Sequence, residues 1–274
     1  MSDSQADKAK RFKELHEGPG SFVIPNPWDG ATARILEALG YPALATSSGA
    51  CAATFGRRDG NVTRDEAMAH SRLIVESTGL PVSADFEKGF GDDPATVHET
   101  IRMAADTGLV GASIEDSTRN PDAPLYDFDQ AVARVAAAVE AARALPYPFM
   151  LVARAQNFVA GKPDLDDTIK RLQAFEKVGA DVLFAPGLPD LDAIKAVCQA
   201  VKKPVNFMVG IPHRSFTVAD LTAAGVKRIS LSTALHRAAM DGFVKAAKET
   251  SEQGTFGYVE AAIPSRELGA YLEG

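Results

Sequence analysis

Cysteine is scarce in this 274-residue chain: there are only two, Cys51 and Cys198. So small a number excludes the disulfide framework of small secreted scaffolds, and their distance in sequence excludes a CxxC metal or redox pair. Long apolar runs are missing too. Nothing approaches the ~20 residues of a membrane span, and the stretch from Met1 to Glu17 is polar throughout, without the apolar core of a signal peptide. A reducing cytoplasm is the expected compartment. Basic excess is absent as well: the formal net charge is −7, which argues against a nucleic-acid or anionic-membrane surface. It leaves room for one small anionic ligand held by a single local arginine. Also missing is a Gly-rich GxGxxG turn after the first apolar run, where the chain reads Pro25-Asn26-Pro27-Trp28-Asp29-Gly30.

What is present is alternation. Short, nearly continuous apolar runs read as strands buried on both faces of a parallel sheet. They lie at Ser21–Pro25, Ala43–Ser47, Pro81–Phe86, Gly111–Glu115, Phe149–Ala155, Val182–Ala185, Pro204–Val209 and Arg228–Ser232. Between them run segments of helical period, several opening on start signals such as Thr63 before Arg64 and Asp93 before Pro94. Eight such units without a linker predict one α/β domain over residues 1–274, a single (β/α)8 TIM-type barrel. An N-terminal helix (residues 1–20) precedes the barrel (21–250), and a helical extension (251–274) follows it. The doubly wound open sheet shares the alternation but lacks its phosphate-binding turn here.

In a barrel the chemistry sits where strands end. Asp85 and Glu87 are two apart at the end of the third strand, and Glu115 ends the fourth. Converging carboxylates repel unless a cation neutralises them, and hard oxygen donors without paired Cys or His favour Mg²⁺, with Mn²⁺ an alternative. Spacing alone equally allows solvated loop carboxylates beside an ordinary ion pair with Lys88. Arg154, at the end of a buried run, needs a carboxylate partner, from the protein or from a substrate. Ser47, Ser48, Gly49 and Ala50 read as a cradle for a carboxylate or as a plain turn, and Asn206 as a substrate contact or a loop-satisfying amide.

These segments carry a resemblance. Pro25 to Arg34 (PNPWDGATAR), Ala45-Thr46-Ser47-Ser48-Gly49, Ala84 to Asp92 (ADFEKGFGD), Gly111 to Asp116 (GASIED), Ala153-Arg154 and Pro204-Val205-Asn206 resemble the isocitrate lyase/phosphoenolpyruvate mutase superfamily, in order, from about Phe22 to about Gly242. The resemblance implies a Mg²⁺-dependent barrel acting on a small anionic 2-oxo acid. It also implies a homo-oligomer, a tetramer built as a dimer of dimers with the last barrel helix exchanged. By position Asp85, Glu87 and Glu115 look like the metal-binding carboxylates. Asp59 looks like the aspartate that orients metal-bound water, Arg154 like the cation facing the developing charge, and Ser47–Ala50 like the carboxylate cradle.

The chain also departs from that pattern. Known isocitrate and methylisocitrate lyases carry a Cys-Gly-His loop after the fourth strand; here Asp116 to Asp127 holds no Cys, His or Lys. Ser117 stands where phosphonate-cleaving members have lysine, and Gln156 replaces part of a familiar Arg-Thr-Asp. Thr118, Arg119 and Asn120 are candidate substrate contacts in that loop. The expectation is therefore a Mg²⁺-dependent lyase that cleaves a C–C bond of a small 2-oxo or 2-hydroxy di- or tricarboxylate through a pyruvate-enolate-type intermediate, resembling an oxaloacetate decarboxylase or a methylisocitrate lyase. A P–C bond enzyme of the phosphoenolpyruvate mutase or phosphonopyruvate hydrolase type, and a non-catalytic oxo-acid-binding homologue, are the alternatives.

Overall fold

Eight parallel strands close into a ring in a computed structural model, which describes residues 3–214 and 216–273. They are β1 (Phe22–Ile24), β2 (Leu44–Ala45), β3 (Val82–Asp85), β4 (Gly111–Glu115), β5 (Met150–Arg154), β6 (Val182–Phe184), β7 (Val205–Met208) and β8 (Arg228–Ser230). The ladder runs unbroken from β2 through β8 to β1, and Ala45 N donates to Pro25 O at 3.0 Å across the remaining seam. Each strand lies inside its expected run, shorter by up to three residues, because the edges of those runs are turns.

The helices are α1 (Gln5–Glu17), α2 (Gly30–Ala38), α3 (Ser48–Thr54), α4 (Arg64–Glu76), α5 (Pro94–Ala105), α6 (Phe128–Arg143), α7 (Leu165–Lys177), α8 (Leu191–Ala200), α9 (Val218–Ala223), α10 (Ala234–Gln253) and α11 (Ser265–Leu272). Thr63 and Glu66 form a reciprocal capping box on α4, and Asp93 caps α5 ahead of Pro94. One element was not expected: Ser47 caps the seven-residue α3, in a stretch read above as a cradle or turn.

Side chains alternate along each strand. Ala84, Ile114, Leu151, Leu183 and Phe207 join the helix residues in one apolar layer. Phe22, Ile24, Val110, Val152, Val182 and Phe184 face inward, and Ala9 and Phe12 of α1 seal the bottom. The interior is not wholly apolar. Ser83, Asp85, Ser113, Arg154, Asn206, Arg228 and Ser230 occupy the alternating positions opposite the outward-facing residues, so a polar column runs through half the barrel. Helix α10 behaves unlike its predecessors: none of its residues is buried, and Phe243 is 67% exposed. Among the described residues, no helix is long and apolar enough to cross a membrane.

Candidate active site

The C-terminal ends of the strands surround a cleft of about 500 Å³ bordered by Ser47, Asp59, Asp85, Glu115, Arg119 and Arg154. Asp85, the last residue of β3, is its hub. Arg154 Nη1 donates to Asp85 Oδ1 at 2.8 Å, and the same oxygen accepts from Glu87 N at 3.1 Å and Ser113 Oγ at 3.3 Å. Ser48 Oγ donates to Oδ2 at 3.2 Å. Burial pushes Asp85 toward its neutral form, but Arg154 and these donors outweigh it and hold the carboxyl below its ordinary value.

Arg154 also reaches Glu115, Nη2 to Oε2 at 3.2 Å. Gln156 Nε2 donates to that carboxylate oxygen at 2.5 Å. The replaced Arg-Thr-Asp therefore leaves Arg154 well supported, from across the strands β3 and β4 rather than from its own loop. Burial alone would weaken the guanidinium's hold on its proton; Asp85 and Glu115 reverse that.

The second arginine comes from the β4–α6 loop. Ser117 bridges Leu125 across this loop, and Arg119 sits at φ +62° with its side chain turned into the cleft. Arg119 Nη2 lies 3.0 Å from Glu87 Oε2 and 3.7 Å from Asp59 Oδ2, and its Nε lies 3.8 Å from Glu115 Oε1. Thr118 and Asn120 are spent inside the loop: the Thr118 hydroxyl donates to Ala123 O and accepts from Asn120 N. Of the three loop candidates, only Arg119 faces the cluster.

Glu87 too has a left-handed backbone, at φ +53°. Conformations of this kind are costly for residues with a side chain, and they concentrate at functional sites. Burial, reinforced by Asp85, Asp59 and Glu115 against the pull of Arg119, pushes Glu87 up to about 7. Lys88 takes no part; it pairs with Asp92 at 2.5 Å. Behind the cluster, buried Asp116 accepts from Gln156 N at 2.8 Å and faces Arg171 Nη1 at 3.2 Å, tying the ends of β4 and β5 together. Sequence spacing gave no sign of this brace.

The other candidates are placed as follows. Ser47, Ser48 and Gly49 border the cleft. Ala50 N donates to Ser47 Oγ at 3.4 Å, so that N–H serves the cap of α3. Asn206 is not on a rim loop: it is buried inside the barrel, where Nδ2 donates to Ser230 Oγ at 3.0 Å. Cys51 is buried and its thiol is pushed up to about 12, mainly by that burial. His213 is exposed, and the His236 ring packs edge-on against Trp28 at 5.2 Å.

Four carboxylates (Asp59, Asp85, Glu87 and Glu115) face two guanidiniums, leaving negative charge that a divalent cation would balance. Their oxygens are the hard donors Mg²⁺ prefers. Among the described residues no three acidic, His or Cys side chains form a ready-made metal group, because Arg119 and Arg154 stand between the carboxylates. The donor set fits the ion in chemistry and charge, and Arg119 is the cation that now lies among these carboxylates.

A (β/α)8 barrel whose polar groups gather at the C-terminal ends of its strands has the layout of a barrel enzyme. The chain belongs to the isocitrate lyase/phosphoenolpyruvate mutase superfamily: the family model described as phosphoenolpyruvate phosphomutase matches residues 12–251. It is 31% identical to an oxaloacetate decarboxylase of Paraburkholderia xenovorans over 231 residues, 80% of this chain and 74% of the relative. It is 29% identical to 2-methylisocitrate lyase of Escherichia coli over 253 residues, 87% of this chain and 83% of the relative. A crystal structure from Burkholderia cenocepacia J2315, of a lyase/mutase candidate, superposes with a TM-score of 0.96 at 50% identity, covering 98% of this chain and 97% of that one.

Proposed function

We propose that this protein is a Mg²⁺-dependent lyase that cleaves a C–C bond of a small 2-oxo or 2-hydroxy di- or tricarboxylate, leaving a pyruvate-enolate-type product. The observation that carries this reading is Arg154, a cation whose side chain is only 13% exposed and is clamped between Asp85 and Glu115 at the floor of the cleft. Breaking a bond beta to a carbonyl leaves negative charge on an oxygen, and a fixed positive group in a water-poor site stabilises that charge without reorganising.

Asp85, Glu87 and Glu115 would hold Mg²⁺ or Mn²⁺, with Asp59 orienting water beside it. Bound there, the cation supplies Lewis acidity toward the substrate oxygen. Arg154 binds the 2-oxo acid and keeps its charge fixed. The hydroxyl of Ser47 receives the substrate carboxylate, joined by that of Ser48 when it turns from Asp85 Oδ2, and the absence of a Cβ at Gly49 keeps the wall open; a methyl there would stand 3.1 Å from Thr233 Cγ2. Ser117 and Arg119 of the loop after β4 border the cleft, and closure of that loop over it would exclude water. Cys51 supplies no acid or base, since its thiol stays protonated at neutral pH. Enolate stabilisation without a deprotonating thiol suits a decarboxylation, in which the C–C bond electrons pass to the enolate oxygen as CO2 leaves and no hydroxyl proton has to be taken.

The test is pyruvate release. Purified protein with Mg²⁺ is offered oxaloacetate, 2-methylisocitrate and 2,3-dimethylmalate, with pyruvate read by coupled reduction. Metal-dependent release from at least one, stopped by a chelator, is expected; none from any would reject the lyase. Phosphonopyruvate followed by phosphorus NMR tests the P–C alternative in parallel. The same reading extends to a homo-oligomer: a barrel helix with no buried residue and an exposed Phe243 needs another copy to cover it.

A further inference from the structure

Beneath the cleft, inside the barrel, lies a smaller chamber of about 50 Å³. It has room for about three waters or one carboxylate group, but not for a whole four-carbon acid. Ser47, Asp85, Arg154, Met208 and Ser232 border both spaces, so the chamber is a downward continuation of the cleft. Its far wall is formed by Asn206 on β7 and by Arg228 and Ser230 on β8.

Arg228 is unusual. It is 5% exposed, yet among the described residues no carboxylate pairs with it, and its Nε and Nη1 have no hydrogen-bond partner there. Its guanidinium lies 5.8 Å from the centroid of the Phe12 ring, which offers a weak π contact and no acceptor. The charged groups that act on it are Asp85, already paired with Arg154, and Arg154 itself, which repels it. Burial lowers it to about 10, so it stays charged at neutral pH. Close by, Asn206 Oδ1 and Arg154 Nε are also buried without partners. A buried, unpaired charge is strongly destabilising unless something completes it.

We propose that this chamber is a carboxylate-binding subsite and that Arg228 is its cation, so that the acid taken by the barrel carries a second carboxylate directed down between β7 and β8. Ser230 Oγ, which accepts from Asn206 Nδ2 and donates to Phe207 O at 3.4 Å, can redirect that long bond to the carboxylate. The assignment rests on the lyase reading only in placing the rest of that acid in the cleft above. It makes Arg228 the residue that selects a dicarboxylate over a monocarboxylate of the same length. A free small carboxylate has the same chemistry, and the experiment separates the two sources.

The full-length protein with Mg²⁺ is titrated calorimetrically with malate, 2-hydroxybutyrate, oxalate and acetate. The first two differ only in a carboxylate against a methyl group. Wild type is expected to bind malate at least ~30-fold more tightly than 2-hydroxybutyrate, the loss typical of an unpaired buried charge. Arg228→Gln is expected to erase that preference and Arg228→Lys to keep part of it, with oxalate affinity equal in all three. A preference absent from wild type, or unchanged in Arg228→Gln, would overturn the proposal. So would acetate binding that depends on Arg228 while malate gains nothing over 2-hydroxybutyrate. If oxalate fails to bind wild type, the metal and enolate reading falls, and the malate ratio, which needs no turnover, still judges the subsite. If Arg228→Gln does not fold, a crystal of wild type soaked in malate decides: a carboxylate within hydrogen-bond distance of Arg228 supports the proposal, and a chamber without one rejects it.

Discussion

At the scale of single residues, Asp85 carries the most consequence, because one carboxylate meets Arg154, Ser48, Ser113 and the Glu87 N–H at once. Replacing it with Asn keeps the shape and removes the charge that balances Arg154. Asp85→Asn is expected to lower metal-dependent pyruvate release by on the order of a hundredfold or more. Rates within a few-fold of wild type would take Asp85 out of the site. Gly111, at the start of β4, makes the complementary point about packing. A Cβ there would lie 2.7 Å from Met150 O and 3.1 Å from Phe12 Cε1. Gly111→Ala is therefore expected to cost about 1–3 kcal/mol through overpacking, read from the urea midpoint. An unchanged midpoint would mean that α1 does not press on this strand as described.

At the scale of elements, the β4–α6 loop matters for the charge it inserts. On the proposed function, a divalent cation would have to compete with Arg119 for Glu87, Glu115 and Asp59. Arg119→Ala should consequently bind Mn²⁺ more tightly than wild type by calorimetry, and weaker binding would assign Arg119 to holding the site together. Helix α1 supplies a pH test. Burial, and then Arg228 nearby, drive His16 down from 6.5 to about 3. The unfolded chain therefore takes up a proton below pH 6.5 that the folded chain refuses, and stability falls as pH drops through that window. The loss is about 2 kcal/mol by pH 5; His16→Gln should flatten the decline between pH 7 and 5 in urea titrations.

Elements also show what could be read without a structure. The eight strands were legible because each is a short apolar run between turn residues, and Gly111–Glu115 matches to the residue. Helix α3 was not, because Ser48-Gly49-Ala50-Cys51-Ala52-Ala53-Thr54 is made of small residues with no apolar period. Asp85, Glu87, Glu115 and Arg154 are legible from their places at strand ends, whereas Asp59, in the loop between α3 and α4, is legible only through the family resemblance. The neighbours of Arg119 depend on how the loop folds back, and Arg228 beside Lys227 reads like any charged strand entrance. Strand alternation says that one of two adjacent residues points inward, and a strand covered on both faces does not reveal which.

At the scale of the whole molecule, the net charge of −7 acquires a local meaning. Part of it sits as three carboxylates around one cleft, with Glu87 beside them against Arg119; two arginines offset it there, and a third lies buried below. On the proposed homo-oligomer, the exposed face of α10 is the surface another copy covers. Phe243→Glu is expected to shift the sedimentation of the protein toward the monomer while leaving its far-ultraviolet circular dichroism intact; sedimentation identical to wild type would show that this face is not an interface.

The central claim is that a divalent cation and Arg154 together form a site for an enolate-like dianion. Oxalate mimics that species and does not react, so calorimetric titration of oxalate with and without Mg²⁺, on wild type and on Asp85→Asn, tests the claim most directly. Binding that requires Mg²⁺ in wild type and disappears in Asp85→Asn is the predicted result. Oxalate binding that ignores Mg²⁺, or survives unchanged in Asp85→Asn, would contradict it.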